Sequence, residues 1–158
     1  MQRFTLGLAG MALMLSAGVA AAQTTTSVVV AKDWLPTSAQ ADAALAAVKD
    51  YLSATDHPSQ WAGKTAETML EKRERAAVLR QYPSYSLRIM GKISSAQPAL
   101  AAEVAGRKII QINGFCNAKG NGWQSPGFLV MDGGACYFHA DYDPQTGAIV
   151  WFGVNGEA

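Results

Sequence analysis

His139 is the side chain in this sequence best suited to proton chemistry, because an imidazole titrates near neutral pH. It lies within Tyr137-Phe138-His139-Ala140-Asp141. In an extended chain alternate residues share a face, so Tyr137, His139 and Asp141 would form one polar patch. A hydrolase-like enzyme using His139 and Asp141 is therefore physically possible, but it also needs a nucleophile or a metal. Ser125 precedes Pro126 and sits in no G-x-S-x-G elbow. His57, beside Pro58, belongs to a turn, and no H-E-x-x-H, P-loop or dinucleotide fingerprint occurs. Asp132, Asp141 and Asp143 offer oxygen ligands, yet their spacing is not that of an EF-hand. The expectation is a protein that is not an enzyme, with no metal and no cofactor.

The two cysteines, Cys116 and Cys136, are not a C-x-x-C pair, so a redox role is not indicated. In an oxidising compartment an even count favours pairing. The 19 residues between them make a loop whose closure is worth roughly 3 kcal/mol on the chain-entropy model. A structural disulfide is expected.

That compartment is implied by the first residues. Met1-Gln2-Arg3 is a short basic start, Phe4–Leu15 is almost wholly apolar or glycine, and Ala20-Ala21-Ala22 supplies an A-x-A cleavage site. The apolar run falls short of the roughly 20 residues of a membrane span, and no second run follows. Residues 1–22 are therefore expected to be a signal peptide and 23–158 a single domain, periplasmic or secreted, with no transmembrane segment in the mature chain. Removing 22 of 158 residues leaves 136, enough for one hydrophobic core. Without Arg3 that part carries twelve basic and twelve acidic side chains, a neutral balance that argues against nucleic acid as a partner. The charge is uneven: residues 64–108 hold nine Lys or Arg against four Glu, whereas 109–158 hold Lys119 against four acids.

The elements follow from periodicity. Val28-Val29-Val30 reads as a short strand or packed arm. Thr37 or Ser38 can cap a helix over 39–54, where Ala41, Leu45, Val48 and Leu52 form one stripe. A second helix is expected over 60–80, with Lys72-Arg73-Glu74-Arg75 as an exposed charged face and Glu71–Arg75 as an i,i+4 pair. After Pro83 the period becomes two. Tyr85, Leu87, Ile89, Gly91 and Ile93 mark a strand with one buried face, and 108–115 reads as another. Phe128–Met131 reads as extended chain. Asp143-Pro144-Gln145-Thr146-Gly147 is the turn of a hairpin over 135–154. Helices before strands give an α+β class: N-terminal helices packed on an antiparallel sheet of about four strands, with one disulfide.

Ile112-Asn113-Gly114-Phe115-Cys116, Met131–Phe138 and Val154–Ala158 resemble segments of small exported bacterial proteins of unassigned function. The Tyr142–Gly147 hairpin is similar to the last hairpin of secreted PepSY domains, and the order of elements resembles a cystatin-like fold. The chain lacks the Q-x-V-x-G loop of cystatins, so that likeness implies no protease inhibition of their kind. Large contact groups remain: Trp123 in a Gly- and Asn-rich loop, Tyr142 by the hairpin turn and Trp151 on the last strand, with His139 nearby. Aromatic side chains bury much area at low rotamer cost. The function these residues favour is a small periplasmic, non-catalytic binding or inhibitory domain with a protein or small-ligand partner in the envelope. The alternatives are the His139 hydrolase and a structural cell-envelope component.

Overall fold

A computed structural model describes residues 26–58, 66–95, 104–116 and 118–156. The leader over 1–22 and the start of the helix expected from residue 60 lie outside the described residues. The fold is α+β, and its elements run β1 (Thr26–Ala31), α1 (Ser38–Ser53), α2 (Met69–Gln81), β2 (Ser86–Ile93), β3 (Lys108–Phe115), β4 (Tyr137–Asp143) and β5 (Ala148–Val154). The sheet order is β1-β2-β3-β4-β5. Neighbours from β2 onward are antiparallel, but β1 lies parallel to β2. The sheet is thus mixed and five-stranded rather than antiparallel and four-stranded. The added strand is the Val28–Val30 arm, and its direction follows from the two helices that carry the chain back across the sheet before β2 begins.

Both helices start on capping boxes. Thr37 Oγ1 accepts from the Gln40 amide at 3.2 Å, while the Gln40 side chain accepts from the Thr37 amide at 3.0 Å. Thr68 and Glu71 repeat the device at 3.2 and 2.7 Å, which fixes the start of α2 at Met69. Glu71 is therefore spent on the cap instead of on Arg75. Arg75, expected on an exposed face, is buried and makes a fork-to-fork pair with Glu67, both contacts at 2.8 Å. Its remaining nitrogen donates to the carbonyls of Leu52 (2.9 Å) and Ala54 (2.6 Å). The last carbonyls of a helix have no partner within the helix, so Arg75 closes the end of α1 and locks α2 to it. The Glu67 hydrogen bond raises the Arg75 pKa above its ordinary value.

Ala41, Ala44, Val48 and Leu52 of α1 and Val78 of α2 cover one sheet face, built from Leu87, Ile89, Ile110, Ile112, Phe138 and Phe152. Two glycines on that face let side chains approach the sheet. A Cβ at Gly114 would overlap the Phe138 ring, and one at Gly91 would overlap Trp34. Cys116 and Cys136 form a disulfide with a Cα–Cα distance of 5.0 Å, joining the end of β3 to the start of β4. The hairpin turn is as the sequence indicates. Asp143 Oδ1 accepts from the Gln145 amide at 2.9 Å, and Gly147 takes a φ of +72°. Among the described residues, no helix is long and apolar enough to cross a membrane.

Two stability effects are expected. Gly114→Ala should cost about 1–3 kcal/mol by overpacking, read as a lower urea midpoint with an unchanged slope. Arg75→Met should cost about 3–5 kcal/mol because it strands a buried carboxylate, and adding Glu67→Met should recover much of the loss in the same assay.

Candidate functional site

The opposite sheet face carries most of the polar side chains, arranged in cross-strand rungs. Ser86, Phe115 and Tyr137 make one rung; Arg88, Asn113, His139 and Gly153 the next; Met90, Gln111, Asp141 and Trp151 the third. Beyond them Val104 packs on Ile109 with Val150 and Trp151. Val150 and Trp151 can share a side because the β4–β5 register shifts between Asp141 and Tyr142, so one residue of β5 is extra there. Both faces of β2 are consequently covered, where alternation suggested one: Arg88 and Met90 are each 2% exposed.

The cover over Arg88 comes from the loop between β3 and β4. The Arg88 guanidinium donates to the carbonyls of Trp123 (3.0 Å), Ser125 and Phe128 (3.0 Å), and to Asn113 Oδ1 at 3.3 Å. Phe115 lies against this group, with Arg88 Cζ 5.2 Å from its ring centre, and Trp123 and Phe128 pack on Phe115 at 5.9 and 5.7 Å. Between the loop and the strands remains a cavity of about 200 Å³. Its walls are Phe115, Phe128, Leu129, Val130 and Tyr137, and its polar groups belong to Gln111, Asn113, His139 and Asn155.

Hydrogen bonding defines what each polar group can still do. Asn155 Nδ2 donates to the Val130 carbonyl at 2.6 Å, and Gln111 Nε2 donates to Asp141 Oδ1 at 3.1 Å. Asp141 also accepts from Lys92 at 2.7 Å. Its carboxylate is therefore committed to Lys92 and Gln111 and does not hold the imidazole. His139 shares a face with Asp141 as alternation requires, but its Nε2 accepts from Trp151 Nε1 at 2.5 Å. An indole nitrogen only donates, so the neutral imidazole carries its proton on Nδ1. Burial lowers the His139 pKa, an effect that Asp141 opposes and Lys92 adds to. Asn113 Nδ2 is buried without a hydrogen-bond partner.

No protein-family model, curated protein or solved structure matches this chain.

The residues singled out by type and spacing are dispersed. His139 lines the cavity, and Trp151 touches it through His139. Trp123 is 6% exposed and packs at a tilt against Phe115 instead of offering a free loop surface, while Tyr142 is 7% exposed in the main core. The extended segment over 128–131 makes no strand and is the outer lip of the cavity. Among the described residues, no three His, Cys, Asp or Glu side chains gather as a metal site would require. Arg88, Asn113, Phe128 and Asn155 were not distinguished by spacing. Alternation placed Arg88 on the outer face, but only the cross-strand register puts it beside Asn113 and His139.

The His139–Trp151 bond makes stability depend on pH. The folded-state pKa lies below that of the unfolded chain, so the unfolded state binds more protons on acidification. This contribution is complete above the ordinary histidine pKa of about 6.5 and is lost as pH falls from there through the depressed folded value. Urea midpoints measured from pH 7.5 to 5 should fall in the parent protein and fall less steeply in His139→Gln.

Proposed function

We propose that this chain is a small non-catalytic binding domain, exported to the periplasm or beyond, and that its ligand site is the outer-face cavity under residues 128–130. The observation that carries the reading is the make-up of that cavity. Side chains of Phe115, Phe128, Leu129, Val130 and Tyr137 wall it, and Gln111, Asn113, His139 and Asn155 supply its polar lining. An apolar pocket with a few directed polar groups is the usual form of a small-ligand site. Against catalysis stand the committed Asp141 and the Nε2 of His139 occupied by Trp151. The cavity walls also include no serine, threonine or cysteine.

The test is a small-fragment panel added to the ¹⁵N-labelled mature protein. Signals of Asn113, His139 and the 128–130 backbone should move together, and Leu129→Trp, which fills the mouth of the cavity, should abolish the response. Fragments that shift only other regions would remove the cavity from consideration. Turnover of a test ester that disappears in His139→Ala would favour the hydrolase instead.

A further inference from the structure

Two side-chain amides of the outer-face cavity are held by their nitrogens alone. Gln111 Nε2 donates to Asp141 Oδ1 at 3.1 Å, and Asn155 Nδ2 donates to the Val130 carbonyl at 2.6 Å. A carboxylate and a carbonyl only accept, so each amide must turn its NH2 group to that partner and its oxygen elsewhere. Among the described residues nothing donates to Gln111 Oε1 or Asn155 Oδ1. Neither oxygen is sealed from solvent, whereas Asn113 Nδ2 is buried and sealed. These two oxygens are therefore acceptors that a bound molecule can reach, carried by two residues of the cavity lining.

Their spacing sets the form of that molecule. Asn155 bonds the backbone of Tyr137, and Gln111 pairs with Asp141, four residues further along β4, or about 13 Å of strand. A molecule reaches both only with a donor at each end. The wall is made of the rings of Phe115, Phe128 and Tyr137 with Leu129 and Val130. A volume of about 200 Å³ takes one ring with short substituents, since an apolar cavity of about 150 Å³ binds benzene. Charge is the other constraint. Among the described residues no Asp, Glu, Lys or Arg lines the cavity, and His139 is neutral because its Nε2 accepts the Trp151 hydrogen. The Arg88 guanidinium lies behind the wall, bonded to Asn113 and 5.2 Å from the Phe115 ring centre. An ammonium would give up its hydration without meeting a carboxylate, and would face that buried cation. A carboxylate would set its own oxygens against the two amide oxygens.

We propose that the cavity binds a small uncharged ring compound with a hydrogen-bond donor at each end. Gln111 Oε1 accepts one donor and Asn155 Oδ1 the other, while the ring packs against Phe115, Phe128 and Tyr137. The proposal rests on the outer-face cavity being the ligand site. Asp141 and Val130 fix both amides in advance, so neither acceptor has to be ordered on binding. A ring without donors would keep the packing but strip water from both oxygens and return no hydrogen bond.

The experiment titrates the mature, disulfide-bonded protein with 4-hydroxybenzyl alcohol, p-cresol and p-xylene, a ring with a donor at both ends, at one end and at neither. The 4-hydroxybenzylammonium and 4-hydroxybenzoate ions complete the series. Binding is read on the 128–130 backbone signals and the side-chain amide signals of Gln111 and Asn155. The alcohol should bind about fivefold more tightly than p-cresol, and p-cresol about fivefold more tightly than p-xylene, each step the size of one net neutral hydrogen bond. Each ion should bind at least about tenfold more weakly than the alcohol. Gln111→Met removes one acceptor at nearly constant volume. Folded by circular dichroism, it should cut the preference for the alcohol over p-xylene about fivefold and leave p-xylene binding unchanged. Asn155→Leu makes the same test at the other end. If p-cresol, p-xylene or either ion binds at the cavity as tightly as the alcohol, the two-donor assignment is overturned and the cavity site stands. An unchanged preference in the folded variants overturns it equally, as does a cavity that ignores all five compounds but answers another fragment. If no fragment of any panel moves the cavity signals, both readings fall.

Discussion

The guanidinium of Arg88 sits between the sheet and the 122–128 loop, and the outer face of this protein is arranged around it. Three carbonyls of that loop turn inward to accept its hydrogens. In doing so they bring Trp123 and Phe128 onto Phe115 and leave Phe128–Val130 standing off the strands as the wall of a cavity. Burying a cation is costly unless acceptors take its hydrogens, and this loop supplies three carbonyls for the two terminal nitrogens of Arg88 while Nε is left without a partner. The loop conformation and the burial of Arg88 are therefore one feature seen from two sides. The same group sets the orientation of the Asn113 amide.

Around that centre, polar groups on the outer face are mostly committed to one another. Asp141 is shared by Lys92 and Gln111, Asp143 serves both Arg107 and the hairpin turn, and His139 accepts from Trp151. Each commitment withdraws a side chain from chemistry it could otherwise perform. Asp141 does not orient the imidazole, and the imidazole nitrogen that could accept a substrate proton already holds an indole N–H.

Much of the architecture was legible in the sequence. The period-two runs located β2 to β5, the Asp143–Gly147 turn fixed the last hairpin, and Thr37 marked the start of α1. The two cysteines pair as their placement at strand ends suggested. Less could be read from α2. Its Thr68–Glu71 capping box is present in the sequence, but the charged run at 72–75 resembled a solvated surface. Nothing local distinguishes Arg75, whose carboxylate and carbonyl partners lie up to 24 residues away. The parallel placement of β1 was equally hidden, since a valine run carries no direction.

The site divides along the same line. Outside the β5 bulge, sequence alone determined which side chains share a face of a strand, because a two-residue repeat dictates it, and so it set His139 with Asp141 and Phe152 opposite Trp151. Which neighbours those side chains meet was decided by the tertiary structure. Arg88, Asn113 and His139 are 25 and 26 residues apart along the chain and come together only through the register of three strands. The loop that turns Arg88 from a surface charge into a buried one is held there by non-local hydrogen bonds. Periodicity assigns a residue to a side, but pairing distances between remote segments assign it a partner, and in this protein the partners decide the chemistry.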